Sequence, residues 1–363
     1  MNYCDKIDYT IYTSEVGSFD CMVNELMVQL PDDRSILRLI VFGAPVNNVQ
    51  FVEQREHLRA CCHEKFSDKM PALTYVPQPP LEGGLVMEVH SYMPGEKDIV
   101  RFSEHEGYSY VIVENECARL LYAGGFQADL SVCILDQSRE VFRLIGELLG
   151  KEKFPIASIT RQWNYIERIT AWDGKNQHYQ MFNNARGEFY SLDRWENGYP
   201  AATGIGTMVG GVSVDIDAVI FKSKCCFATP IDNKLQVAAH EYSSDVLKEA
   251  GGEKATPKFE RAKSMTFGDR RLVYVSGTAA IRGEESLKGV GVERQMNVTI
   301  DNISQLIGND RIRMLRVYLK NPKDYETVRR HLSSREQSVP ISYLWADVCR
   351  DELLIEVEGI AMG

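Results

Sequence analysis

The chain of 363 residues contains no apolar run near the ~18 residues that a membrane-spanning helix needs, so no transmembrane segment is expected. Its opening stretch, MNYCDKIDYTIYTSE, has neither a basic nor an apolar region, which speaks against a secretory leader. Metal-ligand spacing is missing too. The seven histidines form no H-x-H or H-E-x-x-H pattern, and Cys61-Cys62-His63 is the lone Cys/His cluster, without a second spaced pair. Nine scattered cysteines, an odd number, read as reduced thiols of a cytoplasmic protein rather than a disulfide framework. There is no Walker loop and no G-x-S-x-G elbow. The run Gly204-x-Gly206-x-x-x-Gly210 follows a helical pattern and opens a strand, the wrong setting for dinucleotide binding. No metal and no organic cofactor is therefore expected. The formal net charge of −10, with no basic stripe to offset it, excludes nucleic acid as a partner. A small anionic ligand would need arginines placed locally, because the overall field repels it.

What is present is a normal globular composition, 44% hydrophobic and 25% charged, in a chain long enough for two or three domains. The most informative feature is a repeated order of elements. Within a unit spanning 106–229, SYVIVENE and ARLLYAGGF read as strands and residues 127–149 as an amphipathic helix. Leu130, Cys133, Ile134, Val141, Ile145 and Leu149 lie along one face of that helix. IASITRQWNYI then reads as a strand, residues 176–195 as a helix, and ATGIGTMV and VSVDIDAVIF as closing strands.

A unit spanning 230–363 runs in the same order. Residues 264–281 form a strand pair turning at Gly268-Asp269, followed by a helix over 293–307 and a strand over 311–320. A helix over 322–334 with Pro322 near its start leads to the closing strands ISYLWADV and LLIEVEGIAM. RQWNYI in one unit corresponds to RVYLK in the other, and Val214-Asp215-Ile216-Asp217 to Ile355-Glu356-Val357-Glu358. Alternating apolar and acidic residues on a strand put both carboxylates of each pair on one face. The expected class is α+β, with helices packed on one face of mixed sheets.

Residues 1–105 read as a degenerate partial copy. ILRLIVFGAPV is a buried-type strand, NVQFVEQREHLRACCHEKF a helix, and ALTYVPQPP with LVMEVHSYM a strand pair broken by prolines. LKEAGGEKATPK (247–258) is the most linker-like stretch and reads as a loop inside the last unit.

Val275-Ser276-Gly277-Thr278-Ala279-Ala280, followed by a helix, a strand-helix pair and a terminal Glu-x-Glu-Gly strand, resembles the Rid/YjgF superfamily. The resemblance implies β-β-α-β-α-β-β units of the chorismate-mutase-like type, which in that superfamily form trimers with ligand pockets between subunits. A wider set resembles the two-unit chorismatases. Its pieces are Arg161-Gln-Trp163-Asn164-Tyr165-Ile, Tyr179-Gln-x-Phe182-Asn183-x-x-Arg186 and Tyr199-Pro-Ala-Ala-Thr-Gly-Ile-Gly206. Pro257-x-Phe259-x-Arg261-Ala262 and Ala346-Asp347-Val-Cys349-Arg350-x-Glu-Leu-Leu-Ile-Glu356 complete it, so the likeness covers roughly 155–363. The implied activity is hydrolysis of the enolpyruvyl ether of chorismate or a related small anionic carboxylate, with release of pyruvate. The implied assembly is a monomer closed as a pseudo-trimer, or a homo-oligomer.

Enol-ether cleavage begins with protonation of the methylene carbon, which suits a carboxylic acid whose pKa is raised by burial. Glu356, on an apolar strand and matching the first glutamate of the family's terminal motif, is the candidate catalytic acid, with Glu358 on the same face as the alternative. Guanidinium forks bind carboxylates best, which points to Arg161, Arg186 and Arg316. Tyr165, Tyr179 and Tyr199 are candidates for ring hydroxyls. Gly277, Thr278 and Ala279 are candidates for backbone N–H groups or a small-residue wall. The chain departs from the family pattern at Gly283-Glu284, where histidine commonly follows the glycine, and at Trp345, where a small residue is usual. Two other readings accompany the hydrolase: a Rid-type enamine/imine deaminase, and a ligand-binding protein that has lost the reaction. The deaminase reading lacks its anchoring arginine, since Ser342-Tyr343-Leu344 occupies that neighbourhood, which leaves Arg350 as the residue to take its place.

Overall fold

A computed structural model describes residues 2–241, 256–335 and 338–363; the part of the linker-like stretch at 247–255 lies outside the described residues. Three mixed sheets organise the chain. The second contains strands Ile99–His105, Tyr108–Glu114, Ala118–Gln127, Ile159–Glu167, Ala201–Thr207 and Val212–Phe221, with helices Ile134–Lys151 and His178–Tyr190. The third contains Cys226–Ile231, Ala262–Phe267, Arg270–Ala279, Arg311–Leu319, Ile341–Trp345 and Ile355–Met362, with helices Val292–Ile307 and Tyr325–Arg335. Lateral strand order is the same in both: the strand after the second helix at one edge, then the strand between the helices, then the closing strand, then the three opening strands.

The first sheet has strands Ile7–Thr13, Ser35–Phe42, Ala72–Val76 and Val86–Tyr92, with helices Phe19–Val28 and Asn48–Phe66. It follows the same order but lacks the two outer opening strands. The chain up to Tyr92 is thus a third unit without its outer hairpin. Four details differ from the sequence reading. Strand Ile99–His105 pairs with Tyr108–Glu114, and Cys226–Ile231 pairs with Ala262–Phe267, so by sheet membership the breaks fall ahead of 105 and of 229. The helix read as starting at 127 starts at Ile134, because Gln127 still pairs with Ser213 in the sheet. ALTYV and LVMEVHSY are not partners of each other; both pair with Ser35–Phe42, one parallel and one antiparallel, since a helical crossover brings Ala72–Val76 in alongside. Ile7–Thr13 and Phe19–Val28 carry too much polarity for their patterns to stand out in the sequence.

The helices cover one face of each sheet. Val141, Ile145 and Leu148, at helical spacing, pack with Ile159, Ile166 and Val214, and Met296, Ile300 and Ile303 pack likewise with Leu315 and Val317. The opposite faces meet one another. Ile40, Phe42, Trp163, Tyr165, Tyr318 and Leu344, two from each sheet, belong to one buried cluster. The molecule is therefore three sheets turned inward around a common axis, with helices outside.

Register aligns the central strands of the three units position by position. Arg38 pairs with His90, Arg161 with Asp217, and Arg316 with Glu358 across the strand between the helices and the closing strand. Two residues along, Ile40 faces Glu88, Trp163 faces Asp215, and Tyr318 faces Glu356. Each arginine grips an acid of the next unit. Arg38 contacts Asp217 at 2.6 Å and Asp215 at 3.2 Å; Arg161 contacts Glu358; Arg316 contacts Glu88 and, at 2.7 Å, Glu358. All of these side chains are buried. A buried ion pair is a weak source of net stability, but losing one partner strands a desolvated charge. Arg38→Met should therefore lower the unfolding free energy by about 3–5 kcal/mol in urea titrations; a loss below about 1 kcal/mol would contradict the ring's role.

Candidate active site

The three inter-unit seams are not alike. In the seam between the first and second units, Asp215 is held by Arg38, by the Thr74 hydroxyl at 2.8 Å and by the Gly125 N–H at 2.7 Å. In the seam between the third and first, Glu88 accepts from Arg316 Nε at 2.9 Å and from Ser342 Oγ at 2.5 Å. Glu356 occupies the matching position between the second and third units. There Arg161 and the Thr203 hydroxyl both turn to Glu358 instead. Trp163 Nε1 at 3.1 Å and Tyr318 Oη at 3.2 Å also donate to Glu358. Glu356 is left with no ion pair among the described residues.

The consequence is a divergence of two carboxyls two residues apart. Burial pushes Glu356 up to about 8, reinforced by the charge of Glu358 and only partly offset by Arg261 and Arg161. Burial opposes ionisation of Glu358 as well, but Arg316, Arg161 and the Thr203 and Tyr318 hydroxyls hold it below the ordinary range. At neutral pH Glu356 carries a proton and Glu358 does not.

Glu356 borders a cleft of about 60 Å³ with Tyr179, Arg186, Gly204, Gly277, Ala279 and Cys349. Arg186 is buried on helix His178–Tyr190, and its Nη2 donates to the neutral Asn183 Oδ1 at 2.6 Å. Its Nε has no partner, and no carboxylate pairs with it among the described residues. A buried cation in that state is a standing demand for an anion. Glycines make the room. A Cβ on Gly277 would strike the Glu356 carboxyl, and one on Gly204 would meet the Tyr179 ring at 3.0 Å. The Cys349 thiol is pushed up to about 12, chiefly by burial and then by the Glu356 charge, so it is a neutral wall of the cleft.

Of the residues singled out from the sequence, Glu356, Tyr179, Arg186, Gly277 and Ala279 meet in this cleft. The other five do not line it. Arg161 and Arg316 are committed to Glu358 and Glu88 in the central ring rather than to the cleft, and of their terminal nitrogens Arg161 Nη1 makes no hydrogen bond among the described residues. The Tyr165 hydroxyl accepts from Arg316 Nη1 at 3.0 Å. Tyr199 stacks with Tyr190 at a ring-centroid distance of 5.8 Å and lies tilted against Trp195 at 5.3 Å. The Thr278 hydroxyl donates to the Ser276 carbonyl at 2.8 Å. The Gly277 N–H donates to Thr203 Oγ1 at 2.9 Å, so this turn offers a wall rather than a donor. Trp345 does not plug the cleft: it is 37% exposed, and its N–H donates to the Pro79 carbonyl. Glu284 accepts from Arg350 through its backbone carbonyl.

Sequence reasoning passed over Arg261 as a lining residue of the cleft and weighed Arg350 only as a replacement anchor for the deaminase reading, although both stand in the motifs quoted for the resemblance. Arg261 donates to the Val237 carbonyl at 3.1 Å, and Arg350 donates to Glu284 and to Ser286 Oγ. It also passed over Arg38 and Glu88, whose signal was a buried-type strand carrying one arginine and a second strand carrying one glutamate.

The fold and the cleft define three inward-facing units with one protonated carboxyl beside an uncompensated guanidinium. The profile of the chorismatase FkbO/Hyg5-like N-terminal family matches residues 89–218. A 3-hydroxybenzoate synthase of Streptomyces hygroscopicus is 30% identical over 250 residues, covering 62% of this chain and 69% of the relative. A chorismatase of the same organism is 25% identical over 354 residues, covering 91% of this chain and 90% of the relative. A chorismatase crystal structure superimposes with a TM-score of 0.69 at 20% identity, covering 98% of this chain and 99% of the other. The chain belongs to the chorismatase family.

A carboxyl raised by folding makes the native state bind a proton that the unfolded chain releases above its ordinary value, so stability falls as pH rises between about 4.5 and 8. The slope reaches up to about 1.4 kcal/mol per pH unit. Glu356→Gln should remove it, and the variant should gain stability over the wild type on going from pH 5 to pH 8 in urea titrations. Parallel pH dependences would contradict a protonated Glu356.

Proposed function

We propose that the protein hydrolyses the enolpyruvyl ether of chorismate, with Glu356 as general acid and Arg186 as carboxylate anchor. The observation that carries this reading is that, among the described residues, a buried carboxyl without an ion pair, Glu356, faces one cleft with a buried arginine that has no carboxylate partner, Arg186; burial pushes the carboxyl up to about 8. A general acid works best with a pKa near the working pH. Membership of the chorismatase family supports chorismate as the substrate.

A substrate carboxylate on Arg186 brings the enol ether toward Glu356. The Glu356 proton goes to the methylene carbon, and the positive charge that develops on the ether carbon is shared with its oxygen. The ionised Glu356, with Glu358 behind it, stabilises that cation. Water adds to the cationic carbon and returns a proton to Glu356. The hemiketal then collapses to pyruvate and a ring hydroxyl. The cleft, of about 60 Å³, is smaller than the roughly 150 Å³ that holds a benzene ring, so a ring substrate needs its lining side chains to give way. A small carboxylate metabolite and nine unpaired cysteines accord with a cytoplasmic setting.

Purified protein with chorismate should release pyruvate, measured by coupling to lactate dehydrogenase. Glu356→Gln should lower kcat by ~10²–10⁴, and Arg186→Met should lower kcat/KM by about tenfold to a hundredfold. Because the proton-bearing form is the active one, kcat should fall as pH rises through about 8. Ammonia from 2-aminoacrylate without pyruvate would favour the deaminase reading instead, and silence in both assays would leave a binding protein.

A further inference from the structure

The seam between the first and second units holds a second cleft, of about 140 Å³, lined by Arg55, Arg59, Leu73, Tyr75, Gly124 and Gln127 among others. Its construction follows the candidate active site element by element. Leu73 and Tyr75 stand on Ala72–Val76 where Ala202 and Gly204 stand on Ala201–Thr207, one and three residues past the partners of Arg38 and Arg161. Gly124 and Gln127 come from Ala118–Gln127, the strand that matches the one carrying Ala279. Helix Asn48–Phe66 supplies Arg55 and Arg59 as helix His178–Tyr190 supplies Tyr179 and Arg186. In the seam between the third and first units the Pro79–Leu81 segment instead bonds along Ile341–Trp345: the Leu81 N–H donates to the Tyr343 carbonyl, and the Trp345 backbone N–H to that of Pro79.

We propose that this second cleft is a non-catalytic binding site for a small cyclic carboxylate. Its volume approaches that of a cavity known to hold benzene, about 150 Å³. Leu58, Met70 and Leu73 give it an apolar floor, and the rings of Tyr75 and Tyr108 flank it. Arg59 is the anchor. Its closest acid is Glu104 at 3.6 Å, and its guanidinium makes no hydrogen bond among the described residues. Arg55 is already engaged, with Gln127 and with Glu56 at 2.9 Å. Glu56 and Glu106 also line the cleft, and their charges disfavour a ligand with a second negative group. It cannot act as a second reaction centre. Asp215, which occupies the place of Glu356, is fixed by Arg38, Thr74 and Gly125, and a Cβ on Gly124 would already lie 2.6 Å from its Oδ1. The two clefts share the central strands, since Asp215 and Asp217 lie on the strand paired with Ile159–Glu167, which carries Arg161.

The test uses 4-fluorobenzoate followed by fluorine NMR on the full chain, in an Arg186→Met background that disables the candidate active site. That variant should still bind the probe at one site. Adding Arg59→Met should weaken this binding at least tenfold, while Arg59→Met alone should leave pyruvate release from chorismate within twofold of wild type. Loss of all binding on Arg186→Met alone, or an affinity unchanged within twofold on adding Arg59→Met, would overturn the proposal. Pyruvate release is read independently, so failure of the second site and failure of the hydrolase reading are separable.

Discussion

Three guanidinium groups and five carboxyls meet at the axis where the sheets face one another: Arg38, Arg161 and Arg316 against Glu88, Asp215, Asp217, Glu356 and Glu358. Desolvated charges must be matched or neutralised. Four of the carboxyls obtain an arginine, and Glu358 obtains two. The fifth, Glu356, stays neutral by keeping its proton. The same excess of acid that would be a defect in a plain core thus supplies a proton donor at the edge of a cleft.

Small sequence differences between the three units decide where that happens. The position across from the central arginine is His90 in the first unit, Asp217 in the second and Glu358 in the third. His90 is buried and held neutral, by desolvation first and then by the nearby Arg38 and Arg316, so Arg316 remains available to Glu88. Arg38 serves both Asp215 and Asp217. Arg161 serves Glu358 only, and the place it leaves is taken by the Arg186–Glu356 cleft. A repeat with identical residues would have three equivalent seams. Divergence of a few buried side chains gives two seams with a tied acid, Glu88 and Asp215, and one with a proton to give.

How far this was legible in the chain follows from the same logic. The second and third units show alternating strands and helices of clear period, and RQWNYI against RVYLK or VDID against IEVE are matches a reader can find. The first unit hides Ile7–Thr13 behind polar residues and loses its outer hairpin, so its equivalence to the others surfaces only in strand register. With Arg38 and Glu88 unrecognised, Arg161 and Arg316 looked like free cations on strands, whereas their partners lie 197 and 228 residues away. Glu356 could be picked out because an acid flanked by apolar strand residues is buried wherever the strand is. Its separation in role from Glu358 depends on which neighbour each arginine chooses, and no local pattern carries that.

The most direct test is a carbon-13 NMR titration of protein labelled at the glutamate side-chain carboxyls. One resonance, absent in Glu356→Gln, should titrate near pH 8. A wild-type spectrum in which the Glu356 carboxyl ionises in the ordinary range near 4.3 would contradict the account.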